Sequence, residues 1–197
     1  WLFWAEELHE ALLARFAGPE GGVLMTAEGH DSALLMRPFE DSDNVEPAAS
    51  SIAAMNGLRL AELRGRPDFR SQAEKTLARF AHAMKERPLS VPAMLAAAGW
   101  TLSKPRQIVL AGDPADPGAA ALLRVIRRKF LPVKVLLAAR GGSSQERLAK
   151  NLPFLKGVKP LGGKPAAYVC VDHTCKLPTS DPSVLEKILD EKESPRK

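Results

Sequence analysis

Aromatic residues are scarce in this 197-residue chain, which has a single tyrosine and an aromatic content of 6%. The sequence therefore lacks the row of aromatic side chains on which single-stranded nucleic acids stack. Although the net charge is +5, the only tight basic cluster is Arg124, Arg127, Arg128 and Lys129. A solvated helix face explains that cluster better than a nucleic-acid site does, so we expect no nucleic-acid partner.

Long apolar runs and cysteines are also few. No window contains eighteen consecutive apolar residues, which excludes a typical membrane-spanning helix, and no basic segment precedes an apolar run at the start, as a signal peptide would require. Two cysteines are too few for a secreted disulfide scaffold. We expect a cytoplasmic protein without a membrane partner. Because the chain opens at Trp1 without a methionine, we also expect a fragment.

Motifs for cofactor chemistry are missing. The stretch IVLAGDP ends an apolar run at Gly112, but there is no G-x-G-x-x-G and no Walker lysine. No G-x-S-x-G marks a nucleophile. Cys170, His173 and Cys175 offer at most three zinc ligands from one turn, and Asp172 is the nearest fourth; neighbouring residues rarely all converge on one tetrahedral ion. We expect no cofactor and no metal, and we assign no catalytic residue.

Apolar residues spaced three and four positions apart predict helices over residues 1–103. The predicted helices contain, in turn, Leu2 to Phe16, Ile52 to Leu63, Phe69 to Met84, and a short stretch through Ala98 with Ser90 as its N-cap. Between the first two helices, the apolar runs GGVLMT and ALLMR flank Glu28-Gly29-His30-Asp31, a pattern typical of a β-hairpin.

Strands and helices alternate from residue 106 onwards. Apolar runs at 107–111, 133–139 and 166–171 predict three strands, and Asp116-Pro117 and Asp181-Pro182 predict capped helix starts. Such alternation favours a parallel sheet with right-handed crossovers. The predicted fold class is therefore α+α/β. Residues 1–103 form a helical domain, residues 104–192 a small three-stranded parallel α/β subdomain, and residues 193–197 a flexible tail.

Five segments resemble, in order along the whole chain, the motifs of the spermatogenesis-associated, thioredoxin-domain-containing family, whose bacterial members are called YyaL. These segments are WLFWAEEL, PEGGVLMT, LLMRPFEDSDNVEPAASSIAAMNGLRLAEL, LPFLKG and AYVCVDHTCKLPTSDP. The last is the most specific, since it resembles the family ending AYVC-x4-C-x-x-P-x-x-D-P. One departure is Ala48 and Ser50, where the family has serine and asparagine, which reduces the hydrogen-bonding capacity of that segment.

The resemblance implies a larger protein with an N-terminal thioredoxin-like domain and an (α/α)6 toroid similar to six-hairpin glycosidases and sugar epimerases. This chain would supply the last helical hairpins of the toroid and a C-terminal α/β appendage. Its implied partners are the thioredoxin-like domain and the rest of the toroid, with a sugar-like ligand as a further possibility. A carbohydrate role rests on analogy of fold alone.

Cys170 and Cys175 are separated by four residues, one of which is His173. A continuous strand would separate their Cα atoms by about 16 Å at roughly 3.3 Å per residue, whereas a disulfide needs them within about 7 Å. A bond therefore requires residues 171–174 to turn. The pair is either structural, as buried thiols or a loop-closing bond, or a redox site that exchanges with the missing domain, with His173 polarising a thiol.

The acidic loop FEDSDNVEP is the second candidate site. Arg37, Asp43 and Glu46 are the predicted ligand-pocket residues, because paired carboxylates across a cleft can act in glycoside chemistry. The alternative is a solvated loop in which Asn44 and Glu46 cap the next helix. Three hypotheses follow: a non-catalytic scaffold or binding part, a portion of a carbohydrate-processing toroid enzyme, and a thiol-redox module.

Overall fold

In the computed structural model, the chain divides into two units, Trp1–Leu102 and Ser103–Lys197. The structure describes residues 1–30, 33–172 and 174–191. The predicted tail 193–197 lies outside the described residues. The first unit is built from helices, and the second combines helices with a small four-stranded sheet, which confirms the mixed α and β class.

The helices described in the first unit follow the predicted apolar spacing. They are α1 (Leu2–Phe16), α2 (Ala49–Arg64), α3 (Pro67–Arg79), α4 (Ala81–Glu86) and α5 (Pro92–Leu102), with a 3-10 turn at Pro88–Ser90. Gly65 ends α2 in the left-handed conformation, with φ 64°, and donates its N–H to the carbonyl of Ala61. Glycine adopts this conformation without a Cβ clash, and Pro67 then starts α3 where no helical N–H is needed.

The third predicted helix is broken at Phe80. Its φ of −89° and ψ of 2° lie outside the α-helical region, so α3 ends and α4 begins at this residue. The Phe80 ring is buried and meets Phe39 edge to face, with 6.0 Å between ring centroids. The Arg79 guanidinium lies 4.0 Å from the centre of the Phe39 ring. The packing of Phe39 therefore accompanies the break.

Helix α2 lies at the centre of the first unit and packs against α3 and α5. Small residues cover much of its buried surface, among them Ser50, Ala54 and Gly57. A Cβ at Gly57 would lie 3.2 Å from the carbonyl oxygen of Phe69, so the small residue permits α3 to approach closely. On α5, Trp100 is fully buried and lies beneath the Arg59 guanidinium at 5.9 Å.

The predicted β-hairpin after Gly21-Gly22 is wrong in the residues that the structure describes. The segment forms a single antiparallel bridge between Ala17 and Val23 and no strand. Instead, the N–H of Gly22 donates to the Thr76 hydroxyl at 3.1 Å, and the N–H of Val23 donates to the Ser50 hydroxyl at 2.9 Å. Helix side chains thus satisfy these two backbone groups, and the N–H of Met25 donates to the carbonyl of Pro38 at 2.8 Å without a strand forming.

Substitution of Gly21 tests whether the segment around Gly21-Gly22 must lie close to α3. The φ of Gly21 is +92°, and an added Cβ would lie 2.8 Å from the carbonyl oxygen of Lys75. Gly29 shares a positive φ of +67°, but open space surrounds it. We expect Gly21→Ala to lower the unfolding free energy by about 1 kcal/mol or more beyond the effect of Gly29→Ala, because both carry left-handed strain and only Gly21 adds a clash. Urea denaturation of the two variants measures the difference, and equal losses would contradict it.

The second unit alternates strands and helices as predicted. Its elements are β1 (Arg106–Ala111), α6 (Pro117–Arg128), β2 (Lys134–Ala139), α7 (Gly142–Ala149), a 3-10 turn (Pro153–Gly157), β3 (Ala166–Val171), β4 (Thr174–Cys175) and α8 (Pro182–Asp190). The predicted caps are confirmed: the Asp116 carboxylate accepts the N–H of Gly118, and that of Asp181 accepts the N–H of Ser183, both at 2.7 Å.

The prediction of three parallel strands is wrong for the third. The strand order is β2-β1-β3-β4, with β1 and β2 parallel and β3 antiparallel to β1. Helix α7 has eight residues and spans about 12 Å, less than the roughly 20 Å of a six-residue strand. The chain does not return to the edge where β1 begins. It turns at Leu161–Lys164, and β3 starts at Ala166 opposite Ala111.

One face of this sheet forms the core of the second unit. Ile108 and Leu110 of β1 and Ala167 and Val169 of β3 pack against buried residues of α6 and α8. The buried guanidinium of Arg106 donates to the carbonyls of Leu189 and Glu191 at the end of α8, where a cation complements the helix dipole.

None of the helices in the described ranges combines the length and apolar character needed to cross a membrane.

Candidate functional site

Cys170 and Cys175, the two cysteines of the chain, form a disulfide across β3 and β4. Their Cα atoms lie 3.9 Å apart, so the chain makes the turn that the sequence requires for a bond. Cys170 is 8% exposed, whereas Cys175 is exposed. The third residue predicted for this site, His173, lies outside the described residues.

The strand register places the two cysteines opposite each other. Lys176 donates its N–H to the carbonyl of Val169 at 2.9 Å, so the neighbouring Cys170–Cys175 pair occupies a non-hydrogen-bonded position, where the strands lie closer. Asp172 occupies the turn with a left-handed φ of 48°, which Asp tolerates better than most residues. Its carboxylate pairs with the ammonium of Lys104 at 3.2 Å.

The acidic loop is held by Asp43. One carboxylate oxygen accepts the N–H of Ala48, which precedes α2, and the other accepts the N–H of Ala93 in the first turn of α5, both at 2.8 Å. The backbone N–H of Asp43 donates to the carbonyl of Ser90. Asp43 therefore satisfies N–H groups at the start of two helices. The predicted N-cap Ser90 instead donates its hydroxyl to the carbonyl of Arg87.

Arg37 and Glu46 lie elsewhere on the same loop. The Arg37 guanidinium donates to the carbonyl of Thr26 at 2.7 Å and to that of Arg15, in the last turn of α1, at 3.0 Å. Glu46 is exposed. The described contacts thus engage Arg37 and Asp43 with different stretches of backbone. A ligand pocket formed by Arg37, Asp43 and Glu46 stays a prediction.

Replacement of Asp43 tests its capping role. We expect Asp43→Ala to lower the unfolding free energy by about 2 kcal/mol, since each lost cap costs roughly 1 kcal/mol. Asp43→Asn keeps one oxygen acceptor and should lie in between. Asp41→Ala is the control, because that exposed carboxylate makes a surface ion pair with Arg87 at 3.5 Å, worth about 1 kcal/mol or less. Equal losses for Asp41→Ala and Asp43→Ala in urea denaturation would refute the double cap.

The apolar face of α1 is only partly covered: Leu2 and Leu13 pack against core residues of the first unit, whereas Leu8 is exposed. Together with α2 it lines an open groove of about 580 Å³. The large apolar side chains of the groove are Leu2, Leu8, Leu12, Ile52, Leu60 and Leu63. Leu8 is 53% exposed, and Trp1 and Trp4 at the start of the same helix are 95% and 55% exposed. The apolar spacing predicted α1 correctly, but the face that it marks is only half-buried at Leu2, Leu12, Leu13 and Phe16 and is exposed at Leu8.

The buried side chains of α1 are polar: Glu6 and His9. The Glu6 carboxylate accepts from Arg64 and from Arg66, each at 2.8 Å. Arg66 also pairs with Glu10 at 2.9 Å and with Asp68 at 2.7 Å. Hydrogen bonds from Arg66 to Asp68 and Glu10 raise the pKa of the Arg66 guanidinium. An ion-pair network thus fixes α1 against the junction of α2 and α3.

His9 lies beside this network and lines the groove. It is 6% exposed, and its ring meets Phe69 edge to face with 4.8 Å between centroids. Burial, and then the positive charge of Arg66, lower the pKa of His9 below its ordinary value of 6.5, because both disfavour the imidazolium form. The folded protein therefore holds His9 neutral near neutral pH.

The depressed pKa of His9 predicts an acid-sensitive first unit. In the unfolded chain His9 takes a proton near pH 6.5, whereas the folded chain does so only at lower pH. The unfolded state then binds more protons, so stability falls as pH drops below 6.5, by at most about 1.4 kcal/mol per pH unit.

Urea denaturation of His9→Gln across this pH range measures the effect. The variant should lose that part of the pH dependence, and His82→Gln, at an exposed position, should keep it. Identical pH profiles for the wild-type chain and His9→Gln would exclude a contribution from His9.

The sequence pattern missed the buried polar face of α1, although a signal for it exists. His9 and Glu10 follow Glu6 by three and four residues, which places both on the same side of the helix as Glu6.

Among the described residues, no group of three or more His, Cys, Asp or Glu side chains is arranged to hold a metal ion.

No family model matches the chain. Over 190 residues, 96% of its length, it is 33% identical to spermatogenesis-associated protein 20 of Homo sapiens and 32% identical to that of Mus musculus. It is also 28% identical over 169 residues, 85% of its length, to the uncharacterized protein B0495.5 of Caenorhabditis elegans, of which it covers 22%. The chain spans about a quarter, 24%, of the mammalian relatives it matches.

Proposed function

We propose, from a similarity that supports membership of the spermatogenesis-associated protein 20 family, that this chain is a non-catalytic scaffold within a larger protein. Its first unit would bind further helices of that same protein. The observation that carries this proposal is the apolar face of α1, which lines an open groove with α2. The chain matches about a quarter of the length of its mammalian relatives. Under this proposal, the occupant of the groove is a helix from the rest of the full-length protein.

The groove suits an amphipathic helix. Leu2, Ala5, Leu8 and Leu12 line the groove at three- and four-residue steps along α1, and Ile52 of α2 adds a 43% exposed side chain. Large contiguous apolar patches on a protein surface usually mark an interaction site, and a groove between two helices binds the apolar face of a third. Burying this face would stabilise the complex by roughly 25 cal/mol per Å² of apolar surface removed from water.

The occupant under this proposal is a helix from the remainder of the (α/α)6 toroid that the sequence resemblance implies. The thioredoxin-like domain implied by the same resemblance would lie N-terminal to that toroid. The hydrogen bonds of Arg37 and Asp43 to backbone groups favour a structural role for the acidic loop over a catalytic one. No specific contact of these residues favours the carbohydrate-processing alternative.

The test is association in trans. The 197-residue chain and the remaining part of the full-length protein are produced as separate polypeptides, and their binding is measured by sedimentation velocity. We expect the wild-type chain to bind, and the Leu8→Glu/Ile52→Glu variant to lose at least tenfold in affinity, because charges in the groove would be buried without partners.

The matched control is Leu177→Glu, which changes an 89% exposed leucine in the second unit and should bind like the wild-type chain. Circular dichroism confirms that each variant is folded. If the remaining polypeptide fails to bind the wild-type chain, or binds the groove variant equally well, the docking function is refuted.

A further inference from the structure

We propose that the Cys170–Cys175 disulfide is a reversible exchange site for a dithiol reductant, with Cys175 as the sulfur that is attacked. Three observations support this: the unequal exposure of the two cysteines, the position of β4 in the sheet, and the small loop that the bond closes. The inference is independent of the docking function, because it concerns the second unit alone.

Access differs between the two sulfur-bearing residues. Cys175 is exposed and lies on β4, which pairs with β3 in the described sheet. Cys170 is 8% exposed and lies on β3, between β1 and β4. A thiolate must approach the sulfur that it attacks, and access is one determinant of the exchange rate. Solvent-borne thiols therefore reach Cys175 first, and Cys170 is the leaving group.

The sheet does not depend on the bond. Strand β3 pairs with β1 over six residues, from Ala166 to Val171, and Ala167 and Val169 belong to the core. After β4, the backbone of Thr179 exchanges two hydrogen bonds with Ala167, at 2.8 and 3.1 Å. The disulfide encloses only four intervening residues, and a short loop constrains the unfolded chain little. The reduced form consequently keeps the sheet.

Two of the described lysines beside this hairpin are engaged in ion pairs. Lys104 pairs with Asp172 at 3.2 Å, and Lys176 pairs with Glu191 at 2.7 Å. Their charges are thus largely balanced by carboxylates. Exchange at this site therefore depends on solvent access to Cys175 and on a sheet that persists without the bond, and not on electrostatic activation of a thiolate.

The exchange is a two-electron reduction in two steps. A thiolate of the dithiol attacks the Cys175 sulfur, a mixed disulfide forms, the bond to Cys170 breaks, and the Cys170 thiolate takes a proton. The second thiol of the reductant, once deprotonated, attacks its own neighbouring sulfur in the mixed disulfide and releases the Cys175 thiolate, which is protonated. The protein gains two thiols, and the dithiol becomes a cyclic or intramolecular disulfide.

The experiment uses the whole 197-residue chain and dithiothreitol as the probe. Thiols are counted by alkylation and mass spectrometry during titration with reduced and oxidised dithiothreitol, without denaturant, while circular dichroism follows the fold. We expect zero thiols before reduction, two afterwards, full reversal on reoxidation, and an unchanged sheet signal. Reduction only in denaturant, or reduction coupled to loss of the sheet, would overturn the proposal and identify a structural bond.

Single variants identify the attacked sulfur. Cys170→Ser leaves the exposed Cys175, and Cys175→Ser leaves the buried Cys170; we expect the first thiol to react with an aromatic disulfide reagent about tenfold faster or more, following its exposure. Equal rates, or a faster Cys170, would overturn the assignment. The Cys170→Ala/Cys175→Ala variant should remain folded, and its unfolding would show that the sheet needs the bond.

Discussion

Polar side chains that accept backbone N–H groups, at helix starts and outside the helices, hold the first unit together. Asp43 accepts an N–H at the start of α2 with one oxygen and an N–H in the first turn of α5 with the other. The hydroxyls of Ser50 and Thr76 accept the N–H groups of Val23 and Gly22 in the same way. In the described part of the chain between α1 and α2, polar side chains thus satisfy backbone groups that regular structure would otherwise pair.

The helices and strand positions followed from the sequence because each rests on local pattern. Apolar spacing predicted α1, α2 and α5, and Asp-Pro pairs predicted the starts of α6 and α8. Strand direction did not follow, because it depends on where the chain after α7 returns to the sheet. The hairpin at Gly21-Gly22 was predicted from turn residues, yet the hydroxyls that replace its second strand lie 27 and 54 residues away. Only tertiary contact decides such a choice.

The candidate sites show the same division between local pattern and tertiary contact. Spacing showed that residues 171–174 must turn for Cys170 and Cys175 to bond, and the bond is present. Spacing also marked the apolar face of α1 but could not reveal that polar Glu6 and His9 face the interior. Helix periodicity assumes that the apolar face is the buried one, and that assumption fails for α1, whose buried residues are polar.

The three tryptophans lie in two environments, the core of the first unit and the solvent-exposed start of α1. Trp100 is fully buried in α5, whereas Trp1 and Trp4 stand exposed at the start of α1, with 5.7 Å between their ring centroids. Indole emission depends on the polarity around the ring, so the intrinsic fluorescence of the chain has a core component and a surface component. Aqueous quenchers reach only the surface component, and its intensity reports the solvation of the α1 face without any added label.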